Sequence, residues 1–460
     1  MVFAQIVPAG TQAAPYNVVV VLIDDLGWTD TSVRMDDDNP DSRSDFYETP
    51  NLEGFAAQSM KFSQAYSASP ICSPARASLL TGVSPQRLHM TDIIGSQPGT
   101  SRYSNYYVGK RLIPPPTAKG LPANMMTIAE VLKKQLPNVA TAHFGKWHVG
   151  AGGPEKRGFD GGDGPTGNGS PHGGMAFLAD PDPKGIYSVT SRSIDFMAQQ
   201  VAKGQPFYLQ VSHFAVHQPI LSTQEALRKY ASKAPGRKHN NAAYAAMIEN
   251  LDDGFGRLLR AIDDLGIGNR TYIVFTSDNG GSTDLKDPST SNAPLAHGKT
   301  WVYEGGIRVP MIVRGPGIKP GSSSNVPVIG WDMLPTICDM MRCRNKLPSA
   351  VQGGSIFPVL TGSGAIVNRP GRSLFVWDFP HYLTPKGTFP QIAIREGNFK
   401  LVKFYESGNR MLFNLATDIG ETTDVSAEFP ETRASLDRKL ERYMAKMHAK
   451  RPVKNKSFQP

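Results

Sequence analysis

Two acidic pairs stand where short apolar runs end. Asp24 and Asp25 follow residues 18–23, and Asp278 with Asn279 follows residues 271–277. Carboxylate and amide oxygens without His or Cys suit a hard cation, calcium ahead of magnesium, and do not suit zinc. Either pair alone reads as a turn or a helix cap. Both together, at the carboxyl ends of two strands of an α/β sheet, lie where such sheets bind ligands.

A third group is Cys72-Ser-Pro-Ala-Arg76-Ala-Ser-Leu-Leu-Thr81-Gly82. Its spacing predicts a short helix with Ser73 as N-cap, Pro74 at the first helical position and Gly82 just past the end. Cys72 would then sit at the positive end of the helix dipole with Arg76 one turn away, a setting that lowers a thiol pKa and favours anions. A buried core cysteine is the competing reading, and local chemistry leaves the two level. His213 and His217 have the spacing of a helical zinc site, but residues 207–213 read as a strand. Four extended residues span about 13 Å, too far for two ligands on one ion. His213 therefore reads as structural. The remaining cysteines are Cys338 and Cys343. On a helix over 332–342, positions five apart diverge by about 140°, which predicts poor geometry for a bridge between them.

The elements that must position these groups alternate. Strands are predicted at 18–23, 207–213, 271–277 and 311–313. Helices are predicted at 51–59, 127–135, 191–202, 244–265 and 332–341. This is the pattern of a large, mostly parallel sheet sandwiched by helices. After about residue 360 the character changes to successive antiparallel strands at 374–377, 392–395, 399–404 and 410–414, closed by an amphipathic helix over 431–448. We read a large α/β domain over 1–360 and a C-terminal antiparallel sheet with a packed helix over 361–460. The excess of glycine and proline (45 and 37 residues) points to long ordered loops. Eleven glycines fall within residues 150–174. Its G-x-G-x-x-G match, Gly162 to Gly167, neither follows a strand directly nor opens a periodic helix, so it reads as a loop at the rim of a site and not as a dinucleotide fingerprint.

Cys-x-Pro-x-Arg-x-x-x-x-Thr-Gly, here Cys72 to Gly82, resembles the maturation motif of type I sulfatases in the alkaline-phosphatase-like superfamily. Further segments carry the resemblance through most of the chain. They include Ile23-Asp-Asp-Leu-Gly-Trp28, Ala142-His-Phe-Gly-Lys-Trp-His148, Thr276-Ser-Asp-Asn-Gly280, Lys299 with Tyr303-Glu-Gly-Gly-Ile-Arg-Val-Pro310, and Ile394-Arg-Glu-Gly-Asn-Phe-Lys-Leu401. One departure is Asn138-Val139, where the family often has Gly-Tyr. The resemblance implies an alkaline-phosphatase-like fold and a Cys72 oxidised to formylglycine, whose hydrate is the nucleophile. It implies calcium on Asp24, Asp25, Asp278 and Asn279. Arg76 and Lys146 would orient the diol, His148 would act as its base, and His217 and Lys299 would contact sulfate and assist the leaving alcohol. A formylglycine-generating or anaerobic sulfatase-maturing enzyme is implied as a partner.

The net charge of +9, from 49 Lys+Arg against 40 Asp+Glu, favours anionic substrates weakly. No basic stripe or motif points to nucleic acid, and no window is long and apolar enough for a membrane helix. Phe375-Val-Trp-Asp-Phe-Pro-His-Tyr382, followed by Lys386, combines aromatic faces with cationic and hydrogen-bonding groups suited to a sugar. Trp377, His381 and Tyr382 are thus candidate substrate contacts, with His172 of the glycine-rich loop on the opposite rim. An ordinary strand-and-turn core is the competing reading. The segment is similar to one in bacterial polysaccharide sulfatases, which implies a sulfated poly- or oligosaccharide as substrate and a periplasmic or secreted location. The first basic residue is Arg34, so the beginning of the chain lacks the pattern of a signal peptide. Either the chain is cytosolic or a leader has been removed. The alternatives are a phosphate or phosphonate monoester hydrolase, and a noncatalytic glycan-binding protein in which Cys72 is never converted.

Overall fold

The computed structural model describes residues 15–94, 107–168, 180–283, 288–343, 345–370, 374–383 and 387–459. Its main sheet has eight strands. In chain order they are β1 (Asn17–Ile23), β2 (Met60–Phe62), β3 (Ala140–Gly145), β4 (Gly161–Gly162), β5 (Phe207–Ser212), β6 (Thr271–Ser277), β7 (Met311–Arg314) and β8 (Ser322–Ser324). They lie in the order β8-β2-β7-β6-β1-β5-β3-β4. The run from β6 to β4 is parallel, and β7 is antiparallel to both of its neighbours.

The period of two along a strand explains why β1 is apolar throughout. Val19, Val21 and Ile23 enter one core with the helices α1 (Pro50–Ala57), α4 (Ile186–Ala202) and α5 (Ala242–Asp264). Val18, Val20 and Leu22 enter the opposite core with α2 (Cys72–Thr81), α3 (Ile128–Gln135) and α6 (Met333–Met340). The expected helix-covered sheet is present. The sequence reading omitted β3 because Ala140-Thr-Ala-His-Phe-Gly145 lacks a β-branched run; it is a strand because β5 on one side and β4 on the other take up its backbone.

A second sheet of four antiparallel strands runs β9 (Phe375–Phe379), β10 (Gln391–Glu396), β11 (Phe399–Phe404) and β12 (Arg410–Asn414). One face, with Phe375, Trp377, Ala393 and Val402, packs on Tyr66, Ile71 and Trp331. The other, with Val376, Ile392, Ile394 and Leu401, packs on Leu436, Leu440 and Met444 of α7 (Pro430–Lys446).

Two local expectations are corrected. Helix α2 begins at Cys72, with Ile71 as N-cap, so Ser73 is not the cap and Pro74 is the third helical residue. That position is still within the first turn, where a missing N–H costs nothing. The Ser73 hydroxyl instead accepts from Ile94 N at 3.2 Å. Gly82 does close the helix, in the left-handed region at φ 69°. The helix predicted over 332–342 stops at Met340. Arg342, at φ 61°, turns the chain back, so Cys338 and Cys343 do not diverge; Cys343 N donates to the Cys338 carbonyl at 2.8 Å.

Candidate active site

Strands β1 and β6 pair in parallel with Ile23 opposite Ser277, so the residues that follow them leave the sheet side by side. Asp25 N donates to Asp278 Oδ1 at 3.1 Å, and Asn279 Nδ2 donates to Asp25 Oδ1 at 2.8 Å. All four oxygen-bearing residues, Asp24, Asp25, Asp278 and Asn279, are buried. The start of α2 faces them. The Cys72 thiol lies 3.6 Å from Asp24 Oδ1 and 3.9 Å from Asp25 Oδ1. One turn on, Arg76 places Nε at 2.8 Å and Nη2 at 2.7 Å from Asp278 Oδ2, and Nη1 donates to the Lys146 carbonyl at 2.7 Å.

Lys146 and His148 follow β3. Gly145, at φ 92°, makes the passage possible: a Cβ there would stand 1.9 Å from the Ser212 carbonyl oxygen, far inside van der Waals contact. Lys146 Nζ reaches Asp24 Oδ2 at 2.6 Å. His148 is buried at φ 53°, and its Nδ1 has no partner among the described residues. From beyond β5, His217 brings Nε2 to 3.8 Å from Asp25 Oδ2. Its Nδ1 lies 2.6 Å from the Gln218 carbonyl, which can only accept, so the proton of the neutral ring is on Nδ1. Lys299 Nζ stands 2.7 Å from Asp25 Oδ2.

The electrostatics follow from three carboxylates and three cations in one buried cluster. Burial pushes Asp24 upward, but the cations Lys146 and Arg76 beside it help to outweigh that and hold its carboxyl well below the usual range. Burial opposes the charge on Lys299, yet Asp25 keeps it protonated. Burial lowers His148 well below its ordinary value, with Lys146 and Arg76 adding to it, and takes His217 down to about 3. Both rings are therefore neutral and able to accept a proton. Of the two readings the sequence left level for Cys72, the structure favours the buried cysteine: burial pushes the thiol up to about 12, against the opposing pull of Lys146 and Lys299, with Asp24 and Asp278 adding smaller pushes upward. A short helix end does not compensate for removal of a thiolate from water.

The residues suit a hard cation. Lys146, Lys299 and Arg76 each occupy one oxygen of Asp24, Asp25 and Asp278 respectively, and the opposite oxygens turn inward. Ligand atoms of Asp24, Cys72 and Asp278 lie within 4.8 Å of one another. Asn279 Oδ1 is buried with no hydrogen-bond partner among the described residues, as an oxygen reserved for a metal would be.

All ten metal and core residues named from the sequence therefore converge at one end of the sheet. The sugar-contact candidates are placed differently. Trp377 is fully buried, donates from Nε1 to the Ser67 carbonyl at 2.8 Å and packs on Tyr66. It offers no face to a ligand, because the four-stranded sheet turns that side onto the main domain. His381 Nε2 is 2.9 Å from Thr91 Oγ1, on the segment whose Ile94 amide bonds to Ser73 beside Cys72. The Tyr382 hydroxyl accepts from Leu112 N at 3.3 Å. His172 and Lys386 lie outside the described residues.

The sequence reading missed several supports. Thr166 of the glycine-rich segment accepts from Trp147 N at 2.8 Å through its hydroxyl, and from His148 N at 2.8 Å through its carbonyl. Asp163 accepts from Gly145 N at 2.7 Å. The density of glycines located this rim, but not the two residues in it that hold the Lys146–His148 passage. Lys184, buried at φ 57°, donates to the same Gln218 carbonyl that His217 uses, at 3.4 Å. A single lysine in a loop carries no sequence signal for that role.

The sulfatase family model matches residues 16–342, and the model of the N-sulphoglucosamine sulphohydrolase C-terminal region matches residues 296–450. A sulfatase of Formosa agariphila is 27% identical over 94% of this chain and 89% of its own. The N-acetylgalactosamine-6-sulfatase of Mus musculus is 29% identical over 77% of this chain and 68% of its own. The solved structure of Ps i-CgsB in complex with k-i-k-neocarrahexaose shares the fold, with a TM-score of 0.75 at 24% identity over 94% of this chain and 93% of that one. The chain belongs to the sulfatase family, and it is a sulfuric ester hydrolase.

Proposed function

We propose that this sulfatase hydrolyses sulfate esters on a sulfated poly- or oligosaccharide, with Cys72 matured to formylglycine and calcium held by Asp24, Asp25, Asp278 and Asn279. The observation that carries the reading is the Cys72 sulfur 3.6 Å from Asp24 Oδ1, enclosed by Arg76, Lys146 and Lys299. The carbohydrate substrate is supported by relatives whose names specify an N-acetylgalactosamine sulfate and by a fold relative solved with neocarrahexaose. A soluble chain acting outside the cytoplasm, in the periplasm or secreted, follows from that substrate; no described helix is long and apolar enough to cross a membrane. A formylglycine-generating or anaerobic maturing enzyme acts before the active form exists. We read residues 1–360 as the catalytic domain and 361–460 as the subdomain that bears on its rim.

Formylglycine supplies a hydrated aldehyde, which has the second hydroxyl that a cysteine lacks, and calcium supplies Lewis acidity toward sulfate oxygens. The chain's own residues do the rest. A neutral, buried thiol is a poor nucleophile, which supports conversion of Cys72 over direct use. Arg76 and Lys146 keep positive charge against the start of α2, where a diol oxygen needs it. His148, neutral and with an unpartnered Nδ1, is placed to accept a proton from that diol. Lys299, kept charged by Asp25, and His217, fixed by the Gln218 carbonyl, face the sulfate and its leaving alcohol.

The test is a panel of defined sulfated oligosaccharides assayed beside an aryl sulfate and an aryl phosphate. Sulfate release from one saccharide, above the aryl sulfate in kcat/KM, supports the reading. Turnover of aryl sulfate alone removes the carbohydrate assignment, and preference for the aryl phosphate replaces the reaction class.

A further inference from the structure

The end of α6 brings together two cysteines that the active site does not use. Met340 is the last helical residue, Met341 caps it, and Arg342 adopts the left-handed conformation at φ 61°. Arg342 N then bonds to Asp339 O at 3.0 Å, and Cys343 N bonds to Cys338 O at 2.8 Å. These two bonds are the Schellman pair, in which the second residue past the cap folds back onto the third-last helical residue and their side chains meet. Here the two meeting positions are Cys343 and Cys338.

The geometry allows a bond between them. With standard bond lengths, a 2.8 Å N–H···O=C contact limits the two Cα atoms to about 6.7 Å at most. Disulfides span roughly 4.4–6.8 Å. Both side chains face the same side, since Cys338 lies in the core between α2, α3 and α6 and Cys343 packs against that core. Cys343 is partly exposed, whereas Cys338 is buried. The partly exposed Cys343 sulfur is therefore the one within reach of an external oxidant.

We propose that Cys338 and Cys343 form an intrachain disulfide in an oxidising compartment, a modification that locks the end of α6 and leaves Cys72 as the one cysteine position outside a bridge. The oxidant is a disulfide, either of a small thiol or of a thiol–disulfide oxidoreductase. The Cys343 thiolate attacks one of its sulfurs and expels the first thiolate, leaving a mixed disulfide on Cys343. Cys338 loses its proton and attacks the Cys343 sulfur, expelling the second thiolate. Two protein thiols are oxidised and one disulfide is reduced to two thiols. Helix α6 packs on α2 through Leu334 and its neighbours, so the bridge would brace the helix that bears Cys72 without touching the reacting atoms. It would also remove the two competing thiols from mixed-disulfide formation with cellular thiols.

The full chain is incubated with oxidised glutathione and alkylated without reduction. Trypsin cuts after Arg342, so a bridge joins two peptides in one species about 2 Da lighter than their sum. That species, abolished by dithiothreitol and absent from Cys343→Ser, is the expected result. Independent alkylation of both cysteines, or a glutathione adduct that persists on Cys343, would overturn the proposal. As a second readout, dithiothreitol should lower the thermal midpoint of the oxidised wild type and leave that of Cys338→Ser with Cys343→Ser unmoved. An equal shift in both proteins would also overturn it.

Discussion

The sulfur of Cys72 stands 3.6 Å from Oδ1 of Asp24. One residue opens a helix and the other follows a strand, 48 positions apart, and their approach puts the residue proposed for modification against the proposed metal ligands. In the active enzyme peptide mass spectrometry should find the aldehyde at position 72 in place of the thiol. Cys72→Ala should lower kcat by about 10³-fold or more. Full activity from protein carrying only the unmodified thiol would eliminate formylglycine as the nucleophile.

Asp278→Ala should reduce bound calcium to well below the wild-type content, measured by elemental analysis on gel-filtered protein with circular dichroism as the control for folding. The substitution removes one oxygen that faces Asp25 N and the carboxylate that pairs with Arg76. Undiminished metal in a folded variant would place the ion elsewhere.

His381→Ala should lower kcat/KM on the natural glycan about tenfold while leaving a small aryl sulfate nearly untouched, because the sulfate pocket itself cannot distinguish sugars. The ring reaches Thr91, on the segment that returns to Ser73 beside Cys72. Equal losses on both substrates would assign His381 to the fold.

Lys400→Met should cost about 3 kcal/mol or more in urea unfolding. Its buried ammonium bonds Glu304 at 2.9 Å and Glu421 at 2.8 Å, and it lies against the Trp377 ring. Methionine keeps the packing but leaves both carboxylates without their shared cation. A change within error would mean that Arg308 alone neutralises the cluster.

Asp378 sets a pH dependence. Burial pushes it up to about 7, with the Tyr405 hydroxyl, 2.9 Å from Oδ1, opposing. The unfolded chain loses this proton near pH 4, roughly the ordinary carboxylate value. The stabilising contribution is therefore complete below that pH and declines as pH rises through about 7. Asp378→Asn should flatten the fall in urea midpoint between about pH 4 and pH 7. Parallel pH profiles for variant and wild type would show that Asp378 is ionised in the folded chain throughout.

The sequence by itself determined the sheet and singled out the residues that the fold brings together at one end of it. Alternating burial on both faces of β1 requires helices on both sides, and acidic pairs at the ends of β1 and β6 require those strands to be neighbours if they are to share an ion. The order of short motifs carried the rest of the site, because each motif fixes a backbone turn as well as a side chain, as Gly145 does for Lys146. What the tertiary structure decided are the effects that depend on distant packing. Ala140–Gly145 is a strand only because its neighbours pair with it. Cys72 is raised where its helix position argued for lowering, since its pocket excludes water from every side. Trp377 faces inward because Tyr66, more than three hundred residues earlier, covers it. Cys338 and Cys343 meet because the chain reverses at Arg342, and a helical projection continues past the point where the helix has ended.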